Sequence, residues 1–303
     1  MKQSAFPEKG LWLKGNLHTH TTLSDGRCTP ERQAADYRAM GYDFLAVTDH
    51  NVMNELSRYS TPDFLMIPGW ERDIPHGMGK CIHIVGLFGE DVEPGSVFRR
   101  PQGNEEEMTD QQLVDQMRGE NVFLVYAHPQ WSRTEPEELR ALEGFDAIEV
   151  FNTGCEVLCY TGRGDVYWDM LLRMGRHITA VAADDTHAKD PKTDRFGGWV
   201  VVKAPALTHK DIIAALKAGA YYASQGPAIE EFTIEDGVVH VRTSPCREIH
   251  VVTWLRRGQS CFATDNTLLT EAEYKLAGDE SWVRIVCEDA QGKLAWSNPL
   301  WLE

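Results

Sequence analysis

The sequence predicts an α/β protein: a barrel of βα units followed by a small antiparallel β-sandwich. Three observations predict it. Short apolar runs alternate with helical patterns up to about Ser224; histidines and carboxylates recur at the ends of those runs; and beyond "GPAIEEF" the texture changes to paired strands. A chain of 303 residues can bury one large core together with a small second one.

"LWLKGNLHTH" reads as the first strand. In "TPERQAADYRAMG", Thr29 is placed as N-cap, Pro30 opens the helix and Gly41 stops it. "DFLAVTDHN", "FLMIPGWE" and "CIHIVGLF" follow as strands. Thr109 and Gln112 in "TDQQLVDQMRG" have capping-box spacing, and "NVFLVYAHP" comes after that helix. "EPEELRALEG", the strand "AIEVFN", the helix "DVYWDMLLRMG", the strand "HITAVAADDTH" and the helix "THKDIIAALKAG" complete the series. The alternation implies parallel strands under helices, and seven or so strands suit a barrel better than an open sheet. Residues 225–303 read differently, with a hairpin turning at Asp236-Gly237 and two further strand-turn-strand stretches. The short acidic stretch "NEEEMTD" reads as a solvated loop.

A net charge of −16 excludes long nucleic acid and anionic membrane surfaces as expected partners, since the field repels polyanions. No apolar run approaches the about 20 residues of a membrane span, and "MKQSAFPEKG" lacks the apolar segment of a signal peptide. The seven cysteines are odd in number and scattered, which fits reduced thiols and a cytoplasmic location. Cys155 and Cys159 could share a helix face or pair.

His18 and His20 end the first strand, His50 the second and Glu71 the third; His128 ends a later one, and Asp185 and His187 end another. In an α/β barrel the C-terminal strand ends converge on one mouth, so residues remote in sequence would meet there. Alternation puts His18 and His20 on one face, and likewise Asp185 and His187. Asp185 is therefore the better ligand and Asp184 the better structural partner, while Asp49 is placed behind His50 as an orienting group. Asp25 lies just beyond the first strand, where Gly26 helps the loop turn back. His83 lies inside its strand, and His76 in "IPHGMGK" rivals it.

The ordered motifs "HTHTTLSDG", "VTDHN", "GWE", "HIVGL", "AHP" and "DTH" resemble those of the PHP (polymerase and histidinol phosphatase) superfamily, over Leu13 to Ser224. The stretch ending "AWSNPLWL" resembles the C-terminal module of PHP metallohydrolases of the carbaryl-hydrolase (CehA/McbA) type. The resemblance implies a distorted (β/α)7 barrel, TIM-like, over residues 1–224, with two to three divalent ions at its mouth. Mapped by motif, His18, His20, Glu71 and Asp185 would hold the first ion. Glu71 would bridge to a second ion completed by His83 and His128, and Asp25, His50 and His187 would hold a third. Asp25 stands where many relatives have a histidine, and the resemblance selects His83 over His76.

Adjacent ions lower the pKa of a bridging water and clamp both oxygens of a phosphoryl transfer, with the bridging hydroxide as nucleophile. Mixed histidine and carboxylate donors suit Zn, Mn or Fe. The expectation is therefore a phosphoesterase acting on a small monoester, diester or cyclic phosphate, with Glu71, His128, Asp185 and His187 at the reacting centre. A carbamate, ester or amide hydrolase using the same site is the alternative, and a non-enzymatic metal-binding module is a third reading. Asn152, Arg163, Lys189 and Arg195 follow late strands and are candidate substrate contacts.

Overall fold

Apolar runs bounded by capping residues and glycines set the element limits. The computed structural model describes them over residues 2–53, 56–76, 80–90, 98–99, 109–189, 194–264 and 267–302. The acidic stretch 104–108 and the side chain of His76 lie outside the described residues. The chain runs β1 (Lys2–Ser4), β2 (Leu11–Asn16), α1 (Pro30–Ala39), β3 (Phe44–Val47), β4 (Val52–Met53), β5 (Leu65–His76), β6 (Lys80–Phe88) and β7 (Phe98–Arg99). Next come α2 (Asp110–Met117), β8 (Val122–Tyr126), α3 (Pro136–Ala141), β9 (Ala147–Asn152), α4 (Thr153–Cys159) and α5 (Asp165–Arg173). Then follow β10 (Thr179–Ala183), β11 (Trp199–Ala204), α6 (His209–Lys217) and β12 (Tyr221–Ser224).

Local capping matches the expectations. The Thr29 hydroxyl accepts from Arg32 N at 3.2 Å, Gly41 stops α1 at φ +74°, and Thr109 and Gln112 form a reciprocal capping box on α2. The seven-residue helix α4 has no counterpart in the sequence reading. Its cap is Asn152, whose Oδ1 accepts from Cys155 N at 2.9 Å.

One large mixed sheet organises the site, in the order β10-β9-β8-β6-β5-β3-β2-β11-β12. The pairs β2/β3, β3/β5, β8/β9 and β9/β10 are parallel, as expected. The pairs β5/β6, β6/β8, β2/β11 and β11/β12 are antiparallel, which corrects the all-parallel reading. The reason is connection length: β5 ends at residue 76 and β6 begins at 80, too short a span for a crossover helix, so the strands form a hairpin. Its strands contribute Leu13, Phe44, Ile67, Val85, Val125 and Val181 to one apolar cluster, and α6 adds Ile212 and Leu216 to it. Among the described residues the ladders do not close into a barrel. Strands β10 and β2 are instead joined beyond their ends by two backbone hydrogen bonds, Asp185 N to His18 O and His20 N to Thr186 O, each 2.9 Å.

The C-terminal strands are β13 (Ile229–Glu235), β14 (Val238–Cys246), β15 (Glu248–Thr253), β16 (Gly258–Phe262), β17 (Leu269–Lys275), β18 (Trp282–Glu288), β19 (Leu294–Ser297) and β20 (Leu300–Trp301). The β13–β14 turn uses Asp236 and Gly237, both at positive φ, as a two-residue hairpin of this kind requires. A separate sheet, β1-β13-β14-β17, shares an apolar cluster containing Phe232, Val239, Ile249 and Ile285 with the strands β19-β18-β15-β16. Those strands continue the large sheet through antiparallel pairing of β12 with β19.

Asp184, just past β10, fastens the sheet end. Its buried carboxylate accepts from Tyr37 Oη at 2.6 Å, Thr153 Oγ1 at 2.9 Å and the backbone N–H groups of Phe196, Gly197 and Gly198 at 2.8–3.0 Å. Asp184→Ala leaves buried donors without an acceptor. It is expected to lower unfolding free energy by about 3 kcal/mol in urea denaturation; a loss below about 1 kcal/mol would refute this fastening role.

Candidate metal centre

His18 and His20 follow β2 with their imidazoles on one side, and Thr19 N between them donates to Thr48 Oγ1 at 3.0 Å. The loop after them folds back tightly. A side chain at Gly26 would stand 2.6 Å from the backbone of His20, so only glycine permits this approach. Asp49 anchors the same loop, accepting from Thr21 N, Thr21 Oγ1, Ser24 N and Ser24 Oγ at 2.6–3.1 Å. Asp49 thus positions the segment that carries Asp25, and not His50 directly.

Glu71, fully buried in β5, lies at the centre. Its Oε1 stands 3.1 Å from His18 Nε2, 2.9 Å from His83 Nδ1 and 3.2 Å from His128 Nε2. Its Oε2 stands 3.1 Å from His20 Nε2 and 3.2 Å from His50 Nδ1. Asp185 Oδ1 faces His18 Nε2 at 3.3 Å and His20 Nε2 at 3.2 Å. At the rim, Asp25 Oδ2 is 3.3 Å from His187 Nε2, while Asp25 Oδ1 is 3.8 Å from His50 Nε2. The hairpin explains His83: antiparallel pairing sets it opposite Asp73, so the beginning of β6 lies beside the end of β5. Its place inside its strand is no obstacle to reaching the mouth.

Three donor groups overlap here: His18, His20, Glu71 and Asp185; His20, Asp25, His50 and His187; and His50, Glu71, Asp73 and His83. Within each, the ligand atoms all lie within 4.8 Å of one another. Glu71 Oε2 and Asp185 Oδ1 are buried and have no hydrogen-bond partner, although histidine nitrogens surround them. Carboxylate oxygens and imidazole nitrogens aimed at common points are the donor set of a divalent cation, so these residues fit one. His128 and Asp185 both have positive φ, 26° and 51°, conformations that non-glycine residues adopt only when their surroundings impose them.

The sequence reading missed three residues here. Asp73 Oδ1 is 2.7 Å from His50 Nδ1 and 3.6 Å from His83 Nε2, and its Oδ2 accepts from Asn51 Nδ2 at 3.0 Å. Its signal was the i,i+2 spacing from Glu71 on one strand face. Glu149, buried in β9, meets His18 Nδ1 at 2.7 Å and accepts from His128 N at 2.8 Å; a lone carboxylate inside the apolar run "AIEVF" was the clue. Trp131 packs tilted against His83 and edge-on to His128, with ring centroids 5.2 and 4.9 Å away, and carries no such signal.

The four expected substrate contacts lie in different places. Asn152 is buried and donates from Nδ2 to Glu149 Oε2 at 2.8 Å and Asp185 Oδ2 at 3.2 Å, so it supports the ligands. Lys189 lines the cleft, 3.6 Å from Asp25 Oδ2. Arg163 is exposed, packs over Phe151 and does not line the cleft. Arg195 is engaged by Asp36 at 2.8 Å and by Gln33, against α1 and away from the cleft. Cys155 and Cys159 are both free thiols.

Burial disfavours charge on His20, yet Asp185 and Glu71 outweigh it and push its pKa up to about 9. Burial likewise opposes charge on His83, but Glu71 and Asp73 hold its pKa up at about 11. Against its own burial, Glu71 is held well below the carboxylate range by His18 and His83. His187 is pushed down by burial.

No protein-family model matches the chain, and no curated protein matches it. Among solved structures, a two-domain protein of Bacteroides vulgatus containing a predicted PHP-like metal-dependent phosphoesterase is 15% identical, with 97% of each chain covered and a TM-score of 0.46. A proposed metal-dependent phosphoesterase of Bifidobacterium adolescentis is 15% identical over 60% of this chain and 89% of that one, with a TM-score of 0.42. An amidohydrolase of Chromobacterium violaceum, with bound sulfate and no metal, is 17% identical over 67% of this chain and 96% of that one, at 0.41. At these levels of likeness, the reading of the site rests on its own residues.

Two outcomes follow from this geometry. A histidine must be neutral to ligate, and His20 keeps its proton up to about pH 9, so metal binding should release protons and strengthen from pH 6 to 9. Calorimetry in buffers of different ionisation enthalpy checks this; a buffer-independent heat would refute it. Asp73→Asn removes the carboxylate behind His50 Nδ1 and is expected to weaken binding of one ion about 10- to 100-fold, read by metal titration.

Proposed function

We propose that this chain is a PHP-type metal-dependent hydrolase that cleaves a small phosphate ester. The observation that carries the reading is Glu71, a fully buried carboxylate whose two oxygens face different sets of histidines. One carboxylate so placed can give one oxygen to each of two ions. Two or three divalent ions, Zn, Mn or Fe, would when bound acidify a water and offset the charge of the phosphate. The candidate ligands are His18, His20, Asp25, His50, Glu71, His83, His128, Asp185 and His187.

The chain's own part is to hold these donors and the substrate. Glu149 engages His18 Nδ1, which leaves Nε2 for the centre. Asn152 occupies Asp185 Oδ2 and so leaves Oδ1 facing inward. Lys189 stands at the rim within reach of a phosphate oxygen, beside Asp25. Hydrolysis joins the water oxygen to phosphorus and breaks the bond to the leaving oxygen, which takes a proton derived from that water. We read residues 1–224 as the catalytic unit, in a distorted barrel, and 225–303 as a β-sandwich that shapes it without contributing to chemistry.

Protein prepared without chelators should carry at least about two transition-metal equivalents by elemental analysis; fewer than one would overturn the reading. His18→Ala and Asp185→Ala are each expected to lower turnover at least about 100-fold on a panel of phosphomonoesters and diesters, with the circular-dichroism spectrum preserved. Strong inhibition by inorganic phosphate is expected, whereas hydrolysis of carbamates or amides with weak phosphate inhibition would favour the other substrate class. Asp25→Asn should loosen one rim ion while leaving the Glu71-bridged pair in place, and an unchanged metal titration would remove Asp25 from the ligand set.

A further inference from the structure

Beyond the donors, the cleft has a wall that metal binding does not explain. The cavity measures about 230 Å³, and besides the donors it is lined by Trp131, Gly154, Cys155, Leu158 and Lys189. Trp131 is 39% exposed and Leu158 66% exposed, so both keep apolar surface in water beside a polar floor. The wall is held in register with the floor. Asn152 caps α4 and also bonds Asp185, and a side chain at Gly154 would stand 2.7 Å from Asp185 O. Helix α4 therefore packs directly on the backbone of a candidate ligand, and Trp131 packs on His83 and His128. Among the described residues lining the cleft, Lys189 is the one lysine or arginine, and it already faces Asp25.

We infer that the leaving group of the substrate is a single aromatic or similarly compact apolar ring, seated against Trp131 and Leu158 while its phosphate lies over the Glu71 cluster. This rests on the phosphate-ester reading above and deepens it. A flat ring gains contact with the exposed part of the indole and covers the leucine, whereas a second phosphate would meet apolar surface instead of cations. The volume limits the ring to about one, since sites for larger organic ligands begin at about 300 Å³.

Aryl phosphates are intrinsically more reactive than alkyl phosphates, so binding tests the proposal better than rate. The Mn-loaded full chain is titrated calorimetrically with phenylphosphonate and with methylphosphonate, neither of which can be hydrolysed. Phenylphosphonate is expected to bind at least about tenfold tighter. Leu158→Asn and Trp131→Ala should each reduce that preference to about twofold or less with the metal content retained, and Trp131→Phe should restore most of it. Equal affinities in the unaltered protein, or a preference that survives both Leu158→Asn and Trp131→Ala, would overturn the apolar subsite while leaving the phosphate-ester reading intact. If neither phosphonate binds to protein shown to hold its metals, the phosphate-ester reading falls and the subsite with it.

Discussion

A carboxylate buried without a compensating charge would take up a proton, and Glu71 avoids this because histidines surround both of its oxygens. Much of the site follows from that requirement. His18 and His20, His50, His83 and His128 come from four separate segments, and each must stop within about one hydrogen-bond length of the same side chain. Without metal, the cluster satisfies itself by holding protons: the raised histidines and the lowered Glu71 and Asp185 are two sides of one balance. The histidine contribution is complete below the ordinary imidazole pKa and fades as pH rises through about 9 for His20 and about 11 for His83. The carboxylate contribution is complete above the ordinary carboxylate pKa and fades on acidification.

A second layer of buried acids makes the convergence possible. Asp49 ties down the loop after His20, Asp184 gathers backbone donors beyond β10, and Glu149 meets both His18 and the backbone of His128. Asp49 and Asp184 sit just past strand ends and Glu149 inside β9, and each engages N–H or O–H groups with its oxygens. The outer carboxylates are thus engaged by the scaffold, while Glu71 Oε2 and Asp185 Oδ1 face the histidine nitrogens of the cluster. The positive φ values of His128 and Asp185 show where backbone freedom has been given up to aim side chains inward.

The antiparallel hairpin of β5 and β6 has a functional consequence. A parallel strand at that position would have carried His83 away from the mouth, but the hairpin sets it across from Asp73 and within 2.9 Å of Glu71. Strand β5, by its own alternation, delivers two carboxylates, Glu71 and Asp73, on one face. His50 consequently meets acidic groups through both ring nitrogens, Asp73 and Glu71 at Nδ1 and Asp25 at Nε2. That arrangement couples the rim donors to Glu71 through a single imidazole.

Much of the site was legible in the sequence, because strand alternation and strand-end placement are local properties. The pairing of His18 with His20, the choice of Asp185 over Asp184 and the helix caps at Thr29 and Thr109 needed only nearest neighbours along the chain. Which strands pair, and in which direction, depends on contacts between distant residues. Local patterning therefore missed the hairpin that brings in His83 and Asp73, and also the open ladder path of the large sheet. Asn152 and Arg195 show the same limit. Each stands in a loop or at a strand end that suits substrate binding, but tertiary packing surrounds Asn152 with Glu149 and Asp185, and Arg195 with Asp36 and Gln33. The sequence by itself determined the donor types and their strand-end positions, whereas the tertiary structure decided which donors meet and which are already engaged, because a hydrogen-bond partner from another strand is invisible to local periodicity.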